Sequence, residues 1–279
     1  NRKTMTVVCY LLGLAVLITF AVFYQKKEKQ AEPISATAFK LNTIVTVTIY
    51  DSKNQKLADE AVALCDKYEK LFSRTMESSE LYQLNHGTLP KEGNAFVLSE
   101  ETAKLIQKGL EYGKVSDGAF DIAIEPVSSL WDFTSGKKDI PSQEDISKAL
   151  PLVNYKDVQL DGNLLTFAKE GMGLDLGAIA KGYIADRIKD YLLEQGVKSA
   201  TINLGGNVLC VGEKPEGTPF KIGIQKPFSD RSETIAVMNI SDKSVVSSGI
   251  YERYFEKDGK IYHHILNPAT GYPYDNHLV

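Results

Sequence analysis

Asp175-Leu-Gly-Ala-Ile-Ala-Lys-Gly-Tyr-Ile-Ala-Asp186 places a carboxylate, two glycines and a lysine where an extended segment turns into an amphipathic helix. The first turn of a helix offers unpaired backbone N–H groups and the positive end of the dipole, so this junction suits a phosphate-bearing ligand. Lys181 falls in that first turn, where a cation opposes the dipole and a bound anion would remove the conflict. Taken alone, the same residues also describe a glycine-rich turn beside a solvated lysine.

Outward from this junction the chain alternates helices with short strands. The helix itself spans roughly Ala178–Glu194 and is ended by Gly196. Upstream, Val158–Leu160 and Leu164–Phe167 flank Asp161-Gly-Asn, a hairpin signal. Ser142, with Asp145 three residues on, opens a short helix by a capping-box pattern. Ser99 is a good N-cap for a helix towards Gly113, whose end delivers the loop Ser116-Asp-Gly-Ala-Phe-Asp121. Leu57, Ala61, Leu64, Tyr68 and Leu71 recur at helical spacing over Lys56–Phe72, and Val45, Val47 and Ile49 alternate in a strand over Thr43–Tyr50. Downstream, strands are predicted at Ala200–Leu204, Val208–Val211, Lys221–Gln225, Thr234–Ile240 and Ser244–Ser247. A final hairpin pairs Tyr251–Glu256 with Lys260–Leu266 around Asp258-Gly259. Frequent hairpins among helices predict an α+β fold with a mostly antiparallel sheet.

The 279 residues, 43% of them hydrophobic, suffice for an ample core in one large domain or two small ones. A net charge of −4 without a basic run gives no support to nucleic acid as a partner. The N-terminus differs in kind: Thr4 to Gln25 carries no charge, and Val7–Phe23 is almost continuously apolar. That length predicts one N-terminal transmembrane or signal-anchor helix, uncleaved in preference to a cleaved signal, with the remainder extracytoplasmic at the cell membrane. The expected organisation is a membrane anchor or signal over 1–25, a linker over 26–37 and a globular domain over 38–279. Cys9 lies in the anchor, and Cys65 and Cys210 fall on apolar faces, so buried thiols are expected rather than a disulfide framework.

Four further segments hold more glycine, polar and ring residues than folding requires: Ser116–Asp121, Asn203-Leu-Gly-Gly-Asn207, Ser247-Ser-Gly-Ile-Tyr-Glu-Arg253 and His263-His264-Ile-Leu-Asn-Pro-Ala-Thr-Gly-Tyr-Pro273. Each has a plain account as a turn former. In a strand His263 and His264 point to opposite faces, so at most one can face a given site. No HExxH pattern, G-x-S-x-G elbow or Walker A lysine occurs. Asp175 is the obvious carboxylate for a hard metal.

Taken together and in order, these segments resemble the ApbE flavin transferases, the FAD:protein FMN transferases. The resemblance runs from about Ala38 to the last residue, through Leu41-Asn-Thr-Ile-Val, Phe72-Ser-Arg with Ser79-Glu-Leu and Leu84-Asn85, and Ser116–Asp121 leading to Pro126 and Trp131. It continues through Asp175–Asp186, Asn203–Asn207, Ser247–Arg253 and His263–Pro273. It implies an ApbE-like fold in an exported, membrane-attached protein that binds FAD and a divalent metal, usually Mg2+. Such proteins cleave the FAD diphosphate, move FMN onto a threonine or serine of an acceptor flavoprotein and release AMP. By the same resemblance Leu41, Ala119, Phe120, Asp121 and Lys181 would contact FAD. Thr75 falls near a position lying against the flavin, and Ile265 would line the same cavity. Ala178 would offer its carbonyl to the metal, and His264 matches the proposed base. An aspartate and a threonine completing the metal site are expected in a segment following Val279. The nucleophile belongs to the partner, which accounts for the lack of an activated serine or cysteine. Hydrolysis of FAD to FMN and AMP, or flavin binding without catalysis, are the alternative activities.

Overall fold

The alternating Val45, Val47 and Ile49 are completely buried, and so are Ala200, Ile202 and Leu204 of the strand beside them. In the computed structural model, which describes residues 32–229 and 233–275, these belong to β2 (Thr43–Ile49) and β7 (Ser199–Leu204). They are central strands of a five-stranded antiparallel sheet, completed by β1 (Ile34–Lys40), β8 (Asn207–Gly212) and β11 (Ser244–Val245) in the order β1-β2-β7-β8-β11. The helices α1 (Gln55–Phe72) and α6 (Gly177–Glu194) pack on this sheet and on each other. Ala58, Ala61, Val62, Cys65, Tyr68 and Phe72 of α1 face Ala180, Ile184, Ala185, Ile188 and Leu192 of α6 in one core. The helical spacing in α1 thus buries one stripe and leaves the lysines and glutamates outside.

Between those helices lie α2 (Glu80–Asn85), β3 (Lys91–Glu92), β4 (Ala95–Val97), α3 (Glu100–Val115), α4 (Glu125–Ser128) and α5 (Gln143–Ala149). The expected caps are in place: Ser99 accepts from the Thr102 N–H and Ser142 from the Asp145 N–H. Glu80 fastens α2 to the start of α3 by accepting the Ser99 and Thr102 hydroxyls, both at 2.6 Å. The hairpin around Gly162 joins β5 (Val158–Asp161) to β6 (Leu164–Phe167) in a second antiparallel sheet of order β3-β4-β6-β5. Two separate ribbons pair β9 (Phe220–Gln225) with β10 (Thr234–Ile240), and β12 (Tyr254–Lys257) with β13 (Lys260–His263). The last ribbon is shorter than its sequence predicts, ending at His263, so His264–Leu266 form the start of a loop.

The linker expected over 26–37 is corrected from Ile34 onwards, where β1 pairs with β2 from Ile34↔Ile49 to Lys40↔Thr43. Its inward positions include the small residues Ala36 and Ala38, which leave little hydrophobic contrast with Ser35 and Thr37. The turn is Leu41-Asn42, both at φ +55°, where a glycine would have marked it. The expected anchor over 1–25 lies outside the described residues. Among the described residues no helix is long and apolar enough to cross a membrane.

Candidate active site

The start of α6 is organised by Asp175. Its Oδ1 accepts the Gly177 N–H at 2.9 Å, while Oδ2 accepts the Ser128 hydroxyl at 2.9 Å and lies 3.3 Å from Arg74 Nε. Its own N–H donates to the Ile122 carbonyl at 2.8 Å. One residue therefore ties together the loop after α1, the segment after Asp121, α4 and α6. Leu176, the residue before the helix, makes no side-chain cap, so Asp175 does that work from one position further back. The helix begins at Gly177, which moves Lys181 out of the first turn expected for it and into the second. Ala178 stays in the first turn and is exposed.

The Ser116–Asp121 loop follows α3 through the left-handed Asp117 and Gly118, at φ +52° and +82°. The Ser116 hydroxyl accepts the Phe120 N–H at 3.0 Å, closing the loop. Both carboxylate oxygens of Asp121 are taken by backbone: Oδ1 by the Ala123 N–H at 2.7 Å and Oδ2 by the Tyr155 N–H at 2.8 Å. Burial pushes this carboxyl above its usual value, and those two donors oppose the shift. Asp121 thus shapes the loop that presents exposed Ala119 and half-buried Phe120, the latter edge-on to Tyr112 at 6.0 Å between ring centres. Tyr155 closes the loop from below, its ring so near Gly113 that a Cβ there would lie 2.8 Å from it.

The two histidines separate, His263 ending the last strand and His264 opening the loop after it. His263 is 6% exposed and accepts the Ile265 N–H on Nδ1 at 3.3 Å, so it is a satisfied interior residue. His264 keeps an exposed surface, with Nδ1 3.3 Å from the Arg253 carbonyl. A carbonyl only accepts, so Nδ1 carries the proton and Nε2 is left with its lone pair. Desolvation first, and then the charges of Arg253, His263 and Lys181, hold its pKa below the ordinary imidazole value, against the bond to the Arg253 carbonyl. Lys181 is half-buried, and its ammonium pKa is lowered by desolvation and then by Arg253, with Glu252 opposing. Lys181, Arg253 and His264 therefore share one electrostatic neighbourhood at the start of α6. The carbonyl of partly buried Ile265 accepts the Tyr274 N–H at 2.8 Å and fixes the loop beyond the histidine.

The remaining expected residues sit on loops around this centre. Thr75 is exposed and follows Arg74 directly, its N–H donating to the Ser73 hydroxyl at 3.3 Å. Leu41 occupies the β1–β2 turn and packs partly against the main core. In the double-glycine turn, a Cβ on Gly205 would meet Thr43 Oγ1 at 2.1 Å, so glycine permits the contact between two hairpins. Buried Asn207, just after it, faces Gly182 of α6. Asp175 ties the backbone just after Asp121 and the residue before Thr75 to the helix turn that holds Ala178, the Asp121 carboxylate is turned into its own loop, and Lys181 acts on His264 only through its charge. Arg74, Ser128 and Tyr155 were not anticipated as supports of the site. Their partners lie 34 or more residues away in sequence, and only Arg74 stood within a recognised motif.

An antiparallel α+β domain that sets an exposed histidine within the field of a lysine and an arginine near a helix start has the electrostatics to receive an anionic ligand. The ApbE family model matches residues 41–279. An FAD:protein FMN transferase of Klebsiella pneumoniae (strain 342) is 40% identical over 246 residues, covering 88% of this chain and 75% of that protein. Among solved structures, the ApbE protein of Thermotoga maritima superposes with a TM-score of 0.78 at 34% identity, covering 87% of this chain and 78% of that one. The Pseudomonas stutzeri flavinyl transferase ApbE, apo form, gives 0.73 at 30% identity, covering 88% and 77%. The chain belongs to the ApbE family.

Proposed function

We propose that this protein is an FAD:protein FMN transferase, a reading carried by its membership of the ApbE family and supported by an exposed His264 whose Nδ1 is held by the Arg253 carbonyl. FAD is the substrate, and a threonine or serine of an exported flavoprotein is the acceptor. The acceptor hydroxyl oxygen attacks the phosphorus on the FMN side of the diphosphate. The bond to the bridging oxygen breaks, AMP departs with that oxygen, and FMN remains as a phosphoester on the acceptor. His264 Nε2 takes the hydroxyl proton, and its low pKa keeps it unprotonated near neutral pH. Lys181 and the start of α6 neutralise the diphosphate, which is most of what phosphoryl transfer asks of a protein.

Magnesium enters this reading by the family resemblance, through the Ala178 carbonyl, although carbonyls in the first turn of a helix point along it toward the N–H groups four residues on. Among the described residues there is no group of three or more His, Cys, Asp or Glu able to hold a metal ion, and the Asp175 carboxylate is engaged by protein donors. These residues do not by themselves make a magnesium site, and no step above passes through one. Attachment to the cell membrane, with the domain outside the cytoplasm, rests on the apolar run Val7–Phe23.

The test is incubation of the protein with FAD, Mg2+ and a threonine-bearing acceptor peptide, followed by mass spectrometry. An FMN–peptide adduct with AMP is expected. Free FMN and AMP without adduct would make the protein an FAD pyrophosphatase, and unchanged FAD would leave a flavin-binding role. His264→Ala should abolish the adduct while FAD still binds.

A further inference from the structure

We infer that Arg74 is a positioning residue of the FAD site, acting through Asp175: it aims that carboxylate at the start of α6 and neutralises it, so that the helix can receive the diphosphate. This rests on the flavin-transfer reading. A carboxylate capping a helix start competes for the same N–H groups and dipole that a phosphate would use. Asp175 is in that position, with Oδ1 on the Gly177 N–H. A second carboxylate stands close behind it. Glu125 presses on the backbone leading to Asp175, where a Cβ on Gly173 would lie 2.6 Å from its Oε2.

Against these two acids stands Arg74, with Nε 3.3 Å from Asp175 Oδ2 and the side chain about a third exposed. Ser128 holds the same oxygen by a neutral hydrogen bond and supplies no charge. Burial holds the Glu125 carboxyl above its usual value, and Arg74 opposes that shift. Arg74 also sets the loop that carries Thr75, so one ion pair joins the flavin side of the site to the phosphate side.

The experiment measures FAD affinity, and KM and kcat for transfer to an acceptor peptide in Mg2+ buffer, on the whole protein. Arg74→Met is expected to weaken FAD binding and raise its KM by about tenfold, the scale of one lost charged contact, with kcat changed far less. Arg74→Lys should recover most of that loss. The discriminating variant is Asp175→Asn added to Arg74→Met. The amide oxygen still accepts the Gly177 N–H but no longer carries charge, so affinity should return towards wild type. A purely structural arginine would instead give additive losses. FAD binding unchanged in Arg74→Met, or a double variant that binds no better than Arg74→Met, overturns the inference. If Arg74→Met fails to fold, the comparison passes to the neutral Arg74→Gln with and without Asp175→Asn, and the same two results decide. Failure of the wild-type protein to bind FAD would overturn the flavin reading itself.

Discussion

His263 and His264 are adjacent in sequence and opposite in chemistry, because the last strand ends at a buried His263 and His264 opens the exposed loop after it. His264 alone combines access with a proton placed on Nδ1 by the Arg253 carbonyl. Its depressed pKa has a kinetic sign: the base is active when unprotonated, so the acidic limb of transfer activity should lie below the ordinary imidazole pKa of about 6.5. Lys181→Met removes one charge that disfavours imidazolium, so the limb should move to higher pH, by a minor part of the total because desolvation remains. Profiles at saturating FAD check this, and a limb that stays put or moves to lower pH would exclude the coupling. Asp121 works differently. Asp121→Ala orphans the N–H groups of Ala123 and Tyr155, at about 1–3 kcal/mol for a buried unpaired donor. The unfolding midpoint should then fall by roughly 4–8 °C if 2 kcal/mol is lost, with FAD affinity falling alongside. Weakened binding with an unaltered midpoint would instead make Asp121 a direct ligand contact.

Elements carrying a strong internal signal were legible from the chain. The stripe of α1, the capped start of α3 and the hairpin around Gly162 match their expected positions to within a few residues. What escaped was weakly patterned. β1 alternates alanine with serine and threonine and turns through Leu41-Asn42, and the six-residue α2 is too short to show a period. The site divides the same way. Candidate loops announce themselves by glycine and histidine, whereas Arg74, Ser128 and Tyr155 act through contacts that no local pattern encodes. Gly205 shows how two elements can depend on one missing methyl. At φ +64°, with Thr43 Oγ1 2.1 Å from a would-be Cβ, Gly205→Ala meets both backbone strain and a clash between hairpins. A loss of more than about 1 kcal/mol is expected in denaturant unfolding, since alanine at positive φ costs at least that much. Thr43→Ala in the same chain removes the contacts at 2.1 and 2.7 Å but keeps a Cβ at 2.8 Å, so it should return part of the loss due to the clash and leave the part due to φ. A fully additive double variant would show that the two turns do not meet.

At the scale of the whole molecule the site lies between two apolar bodies. The sheet with α1 and α6 holds Asp175 and Lys181, while a smaller cluster of Val127, Trp131, Ile146, Ala149 and Phe255 holds the ribbon that ends in the histidines. Trp131 is the link from that cluster to the final loop. Its indole Nε1–H donates to the buried Gly271 carbonyl at 2.9 Å, and its ring meets Tyr262 and Tyr272 at centroid distances of 6.0 and 5.8 Å. The loop it grips is closed by the Leu266↔Pro273 bridge, directly after His264 and Ile265. Trp131→Phe keeps an aromatic ring but strips the Gly271 carbonyl of its donor, which costs about 1–3 kcal/mol for a buried unpaired group. The loosened part is the histidine loop, whereas the start of α6 rests on the other body through Leu174 and Leu176, and Asp175 reaches the smaller one through Ser128. Transfer rate should therefore fall by more than FAD affinity does, because misplacing a base by a fraction of an ångström slows proton removal without touching the diphosphate contacts. Measuring kcat and the FAD dissociation constant on Trp131→Phe separates the two effects. Equal losses in both would mean that the bodies respond as one, and that His264 is not positioned from the aromatic side.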